Sequence, residues 1–258
     1  MVVPSLTLGG LVGVALSGGF VYWEVGRYST PQVPQTLFDE RKEVTGYTVG
    51  LFVGVPLAVA YILFVDSMAN GALPGALTSL GLLVGGTELA QWWLLRSRYW
   101  GTGPSGPFYA LGFRAAVGGI LALTIVASYL GDPSAITPVG LVGMATQSLA
   151  VVALEVAGAL VSLRQLGNPD RPGGPLRGAL TGLVGFFLLG LGPLGGETAA
   201  VASAFLVFLI AGFIYYRFRP LLAEIPPPTG AAPPLREGPT PYGRTVSEPA
   251  DEAPLPKS

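Results

Sequence analysis

Seven stretches of about twenty apolar residues, parted by short polar breaks, constrain this chain more than any other feature of its sequence. They fall at 5–23, 46–66, 72–95, 107–130, 136–163, 175–195 and 197–217. A soluble protein of 258 residues has no core large enough to bury them all, so lipid is the solvent they suit. Composition agrees: charged residues are 11% of the chain, against roughly 25% in globular domains. The sequence therefore predicts an all-α integral membrane protein, a bundle of seven transmembrane helices over 1–219. The first stretch has no basic residue before it and no small-residue cleavage site after it, which reads as a retained span.

Direction follows from the basic residues. Arg27, Arg41, Lys42, Arg96, Arg98, Arg164, Arg171, Arg177, Arg217, Arg219, Arg236, Arg244 and Lys257 all fall on one side of the seven spans. The other side carries Asp66, Asp132 and Glu197 and no Lys or Arg. Basic loops stay in the cytoplasm, which places the N-terminus outside and the C-terminus inside a plasma membrane. Trp23, Trp92, Trp93 and Trp100 collect at the same basic side, as amphipathic rings do in the headgroup zone. Arginine outnumbers lysine twelve to two and asparagine is scarce, a bias that points to a GC-rich prokaryotic coding sequence.

Glycine accounts for 38 residues, and several repeat at four-residue spacing: Gly9/Gly13, Gly46/Gly50/Gly54, Gly81/Gly85 and Gly174/Gly178/Gly182. Such pairs share a helix face and let backbones approach, which replaces the hydrophobic drive that lipid removes. Close packing within one bundle is the plain reading. A face for a second copy or another membrane protein is the alternative. Pro56 is expected to kink the second span and Pro193 to distort the end of the sixth.

Three ionisable residues, Glu88, Arg114 and Glu155, lie well inside spans. Left alone, each would cost about 2.5–3.5 kcal/mol on an insertion scale. Counted along their helices, Glu88 and Arg114 lie about 10 Å from the basic side and Glu155 about 12 Å, which is one shared layer. Helical spacing sets Gln91 beside Glu88, and Gln147, Ser148 and Ser162 on or near the Glu155 face. The expected result is a polar cluster of Glu88, Arg114, Glu155, Gln91 and Gln147. Two carboxylates sharing one guanidinium leave one without a full partner, a candidate to carry a proton or help hold a cation. A purely structural ion pair is the competing reading.

Much chemistry is excluded. The chain has no cysteine and no histidine, which removes disulfides, thiolate nucleophiles, Cys/His zinc sites and the commonest general base. No Asp lies within a span and no Gly-Lys-Ser/Thr occurs, so neither an intramembrane aspartyl protease nor a P-loop is present. No cofactor or metal is expected, and an enzyme is not. The seven-span, N-out layout resembles that of microbial rhodopsins. Their retinal lysine has no counterpart here, because the only lysines are Lys42 and Lys257. Pro31-Gln32-Val33 with the following Lys42-to-Gly46 segment resembles the PQ-loop and SWEET transporters, which implies two three-helix repeats joined by a linker helix. The fifth span has no matching Pro-Gln pair.

The run Asp39-Glu-Arg-Lys-Glu43 reads as a solvated helix start, with a docking surface or anionic-lipid contact as the alternative. Residues 220–258 hold eleven prolines and little apolar surface, the composition of a disordered cytoplasmic tail suited to a tether or a partner protein. Its sparse basic residues are offset by acidic ones, which argues against nucleic acid. Two functions follow from the sequence. One is a small-solute or ion-coupled transporter using the buried cluster. The other is a non-catalytic sensor or assembly subunit whose tail meets a cytoplasmic protein.

Overall fold

The computed structural model describes residues 2–28, 40–97, 106–163 and 173–218, with side chains for most of them. All of these lie within one compact unit, Met1–Ile225. They form α1 (Val2–Tyr28), α2 (Glu40–Ala69), α3 (Leu73–Arg96), α4 (Gly106–Gly131), α5 (Pro138–Leu163), α6 (Gly173–Leu191) and α7 (Glu197–Phe218). Among the described residues there is no strand, and all seven helices are long and apolar enough to cross a membrane. The expected tail, the Pro31-Gln32 pair and Trp100 lie outside the described residues.

Helix limits follow local chemistry. α2 begins six residues before its apolar stretch and runs unbroken through Pro56. It ends at Ala69, and Gly71, with a φ of +68°, turns the chain back so that the Ala72 amide donates to Ser67 O and the Gly71 amide to Met68 O. Pro74 then enters α3 in its first turn, where the missing N–H goes unmissed. α6 ends at Leu191 and tightens into a 3-10 turn over Gly192–Gly195 that contains Pro193. Thr137 caps α5, its hydroxyl accepting from the Gly140 amide at 2.8 Å and donating to Glu197 at the start of α7 at 3.0 Å. That one hydroxyl ties two helix N-termini together.

Contacts between helices sort their ends into two groups. Arg114 meets Glu88 near the start of α4 and the end of α3, and Tyr215 of α7 meets Glu24 of α1. We call this the basic end, since it also carries Arg41, Arg96, Arg177 and Arg217. The opposite, acidic end holds Asp66, Asp132 and Glu197.

α4 is the axis. It packs against α1, α2 and α5, while α5 packs in turn against α6 and α7, and α3 closes against α2 and α6. Its sequence suits that place, because Gly112, Ala115, Ala116, Gly118, Gly119 and Ala122 keep the helix thin. A Cβ on Gly9 of α1 would lie 2.7 Å from Leu123 O, one on Gly54 of α2 2.9 Å from Ile120 Cβ, and one on Gly118 2.9 Å from Val152 Cα of α5. These helices touch along their backbones, where dispersion is strongest. The Gly81/Gly85 pair does otherwise: a Cβ on either meets nothing within 4 Å, so this repeat takes no part in packing the described bundle.

The outside of the bundle is as apolar as its inside. Phe52, Leu82, Leu89, Trp93 and Phe213 are all exposed, while Glu88, Arg114 and Glu155 are buried. A surface of this kind suits hydrocarbon and not water. Replacing Gly118 by Leu should therefore destabilise the bundle by about 1–3 kcal/mol or more, since α5 backbone blocks the new side chain. Gly81→Leu should leave stability unchanged. Thermal unfolding of the two variants in the same detergent reads the difference.

Between α4 and α5, Asp132 caps a short 3-10 turn, accepting from the Ser134 amide at 2.9 Å and the Ser134 hydroxyl at 2.6 Å. Both bonds favour the charged carboxylate and hold it below its ordinary range. The turn's support is thus full above the ordinary carboxylate range and goes only as pH falls through the lowered native value. Ser134→Ala should bring the Asp132 titration back up, as followed by NMR of the labelled carboxyl carbon.

Candidate functional site

The three intramembrane charges meet. Arg114, two turns into α4, sends Nη1 to Glu155 Oε2 of α5 at 2.8 Å and Nη2 to Glu88 Oε1 of α3. The hydroxyl of Ser162, in the last turn of α5, donates to the other Glu88 oxygen at 2.9 Å. The side chains of Arg114, Glu88 and Glu155 are 4%, 8% and 2% exposed, so little solvent screens their charges.

Glycines make the space for this node. A Cβ on Gly158 of α5 would lie 3.1 Å from Arg114 Nη2, and one on Gly178 of α6 would lie 2.6 Å from Glu88 Oε1. On Gly118 of α4 it would lie 3.4 Å from Glu155 Cβ. Four helices thus contribute: α3 a carboxylate, α4 the cation, α5 a carboxylate and a hydroxyl, and α6 a bare backbone flank.

Glu88 accepts from both Arg114 and Ser162, whereas Glu155 accepts from Arg114 alone among the described residues. Two polar atoms at the node are buried without a hydrogen-bond partner: Arg114 Nε, a donor, and Gln91 Oε1, an acceptor. Gln91 lies one turn from Glu88 toward the basic end, so the unsatisfied acceptor sits on that side of the node. In the opposite direction the buried chains of Leu83, Leu121, Val151, Leu154 and Phe186 form a continuous apolar core. Gln91 adds a buried polar group on the basic side of the node, while the acidic side is lined by this apolar core.

Not every residue expected in the cluster joins it. Gln147 lies two turns from Glu155 and donates to Tyr129 Oη at 3.2 Å, a separate contact nearer the acidic end. Ser148 bonds back to Met144 O within its own helix. Ser162, expected on the Glu155 face, serves Glu88 instead.

Sequence reasoning passed over two more acids. Glu24 near the end of α1 and Glu43 in the first turns of α2 are 4% and 5% exposed. Glu24 accepts from the Tyr215 hydroxyl, beside a cluster of Phe20, Trp23 and Tyr215 rings. Glu43 belongs to the charged run read as a solvated helix start, and there the structure differs: Arg41 is exposed but Glu43 is buried. The missing signal was register. Glu24 lies seven residues after Ser17 and eleven after Gly13, and Glu43 seven before Gly50 and eleven before Gly54. All four reference positions face the bundle interior, so both acids do too.

Seven apolar helices around buried charge fit a multi-pass membrane protein. Compared with known proteins, the chain matches no family model, no curated protein and no solved structure.

Removing Arg114 should be the most damaging single change at the node, because it strands two buried carboxylates. Arg114→Met is expected to cost roughly 3–5 kcal/mol. Adding Glu88→Gln and Glu155→Gln to it should restore most of the loss. Unfolding midpoints of the single and triple variants in detergent measure this. Equal stability of wild type and Arg114→Met would show that the node contributes nothing.

Proposed function

We propose that this chain is an ion-coupled transporter of a small solute, with the Glu88–Arg114–Glu155 node as its charge-carrying site. One observation supports the reading above others: a single buried guanidinium is shared by two buried carboxylates. With both acids ionised the node holds one negative charge in excess, in a medium where such charge is costly. A proton or a cation taken up there restores neutrality, and its release unbalances the node again. That is the elementary step of coupling. Glu155, with fewer hydrogen-bond donors than Glu88 among the described residues, is the carboxylate assigned to this exchange.

The side that supplies the ion is the basic end, where Gln91 presents an unsatisfied oxygen. Retention of basic residues on the cytoplasmic face makes that end cytoplasmic, in the plasma membrane of a prokaryote, with the N-terminus outside. Cysteine and histidine are missing and lysine is scarce, which supports a non-enzymatic role.

A second reading has its own support. The node is close-packed by Gly118, Gly158 and Gly178, as in a structural clasp. On that reading the protein is an assembly or sensory subunit, and its tail, 220–258, meets a cytoplasmic protein.

Reconstitution separates the two. In proteoliposomes with an imposed proton or sodium gradient, Glu155→Gln should lower ion flux roughly tenfold or more while insertion stays at the wild-type level. Full flux in Glu155→Gln, with function in cells lost on deleting 220–258, would select the assembly role.

A further inference from the structure

The node is not the sole buried carboxylate at the basic end. Glu43 shares the α2 face of Gly50 and Gly54, which pack on α4, so its side chain enters the α2–α4 seam. There it rests on Gly112. A Cβ at that position would come within 3.0 Å of the Glu43 carboxyl carbon, so glycine is what leaves room for the group.

Among the described residues, no charged group pairs with it. Glu43 Oε2 is buried without a hydrogen-bond partner, and both ion pairs among the described residues belong to Arg114. The titratable and charged groups toward this end of the packed helices are otherwise placed. On α4, Arg114 is committed to Glu88 and Glu155, and Tyr109 is buried. On α3, Arg96 lies over the Trp92 ring. On α6, Arg177 stands in the first turns and forms no ion pair among the described residues. On α2 itself, the Tyr47 hydroxyl pairs with Ser17, Arg41 is exposed and Lys42 is half-buried. On α1, Glu24 is held by Tyr215 of α7.

An ionised carboxylate loses its hydration in such a seam, and no described residue pairs with it in exchange. The partial positive charge of the α2 N-terminus favours it, but by much less than desolvation costs. A neutral carboxylic acid can stay. Gly112 and Arg114 stand two residues apart, and so point to different sides of α4. Glu43 is therefore separated from the node by the axis helix.

We propose that Glu43 is a second proton-binding site, separate from the node and loaded from the basic end. The step is simple protonation: a proton from water at that end adds to a carboxylate oxygen, and the same O–H bond breaks on release. Loaded, the acid lies against Gly112 and lets the first turns of α2 seat on α4. Unloaded, the carboxylate must reach water, and the start of α2 must move with it. The inference does not depend on what the node does.

Infrared titration of the whole protein in phospholipid vesicles tests this through the C=O stretch of protonated carboxylic acids. Wild type should show a protonated component that is lost on raising pH and is missing in Glu43→Gln, with about one proton fewer bound per chain. An identical band in Glu43→Gln would overturn the proposal. Should that variant fail to accumulate, Gly112→Ala displaces the carboxyl group and must shift or abolish the same component; an unchanged band again overturns it. In Glu155→Gln the Glu43 component should persist. Its disappearance there would refute the separateness of the two sites, whereas persistence with unaltered ion flux would count against the node alone.

Discussion

A guanidinium without water around it has to be neutralised by groups that other helices bring, and Arg114 sets that condition for the bundle. Its two carboxylate partners come from α3 and α5, and the hydroxyl supporting one of them from the last turn of α5. None of these contacts can form until three helices stand in register. In lipid, apolar faces have no preference for one another over the hydrocarbon, so register has to come from polar contacts and shape. The node supplies the first. It specifies which helices are neighbours and at what depth, whether or not it adds to net stability.

Shape supplies the second, and it acts through α4. A thin helix bearing Gly112, Gly118 and Gly119 can be approached on several sides at backbone distance. α1 and α2 bring glycines of their own to the same contact, set against α4 backbone at Gly13 and Gly50 and against the Ile120 side chain at Gly54. The thinness that allows close packing also decides where large polar groups fit. Arg114, Glu155 and Glu88 sit where Gly158, Gly118 and Gly178 leave space, and Glu43 sits where Gly112 does. The glycines and the buried charges belong to one arrangement.

Much of this was legible in the sequence, and the part that was not has a physical reason. Helix number follows from hydropathy because a bilayer imposes one length on every span. The common depth of Glu88, Arg114 and Glu155 follows from counting residues, since helical rise is constant. Lateral order is another matter. Every span is apolar on all sides, so periodicity does not reveal that α4 is the axis or that Gly81 and Gly85 face outward while Gly50 and Gly54 face in. Gln147 was placed with the node by helix face alone, but two turns of rise carry it to Tyr129. Glu43 is hidden by its neighbours: within a run of five charged residues, composition suggests water, and register against Gly50 and Gly54 is what shows that Glu43 turns inward.

That inward turn changes how the basic end is understood. Glu43, Glu88 and Glu155 are all buried toward it, and among the described residues Arg114 is the cation that pairs with any of these three. The acids at the other end, Asp132 and Glu197, are exposed and bonded to Ser134 and Thr137. Exposed acids of the second kind need no compensation beyond water and a nearby hydroxyl. Buried acids in excess of cations do, and the cheapest compensating ion inside a close-packed bundle is a proton, because it needs no cavity and no coordination shell. Glycine packing leaves little volume around the node and around Glu43. Close packing of this kind is compatible with exchange of protons.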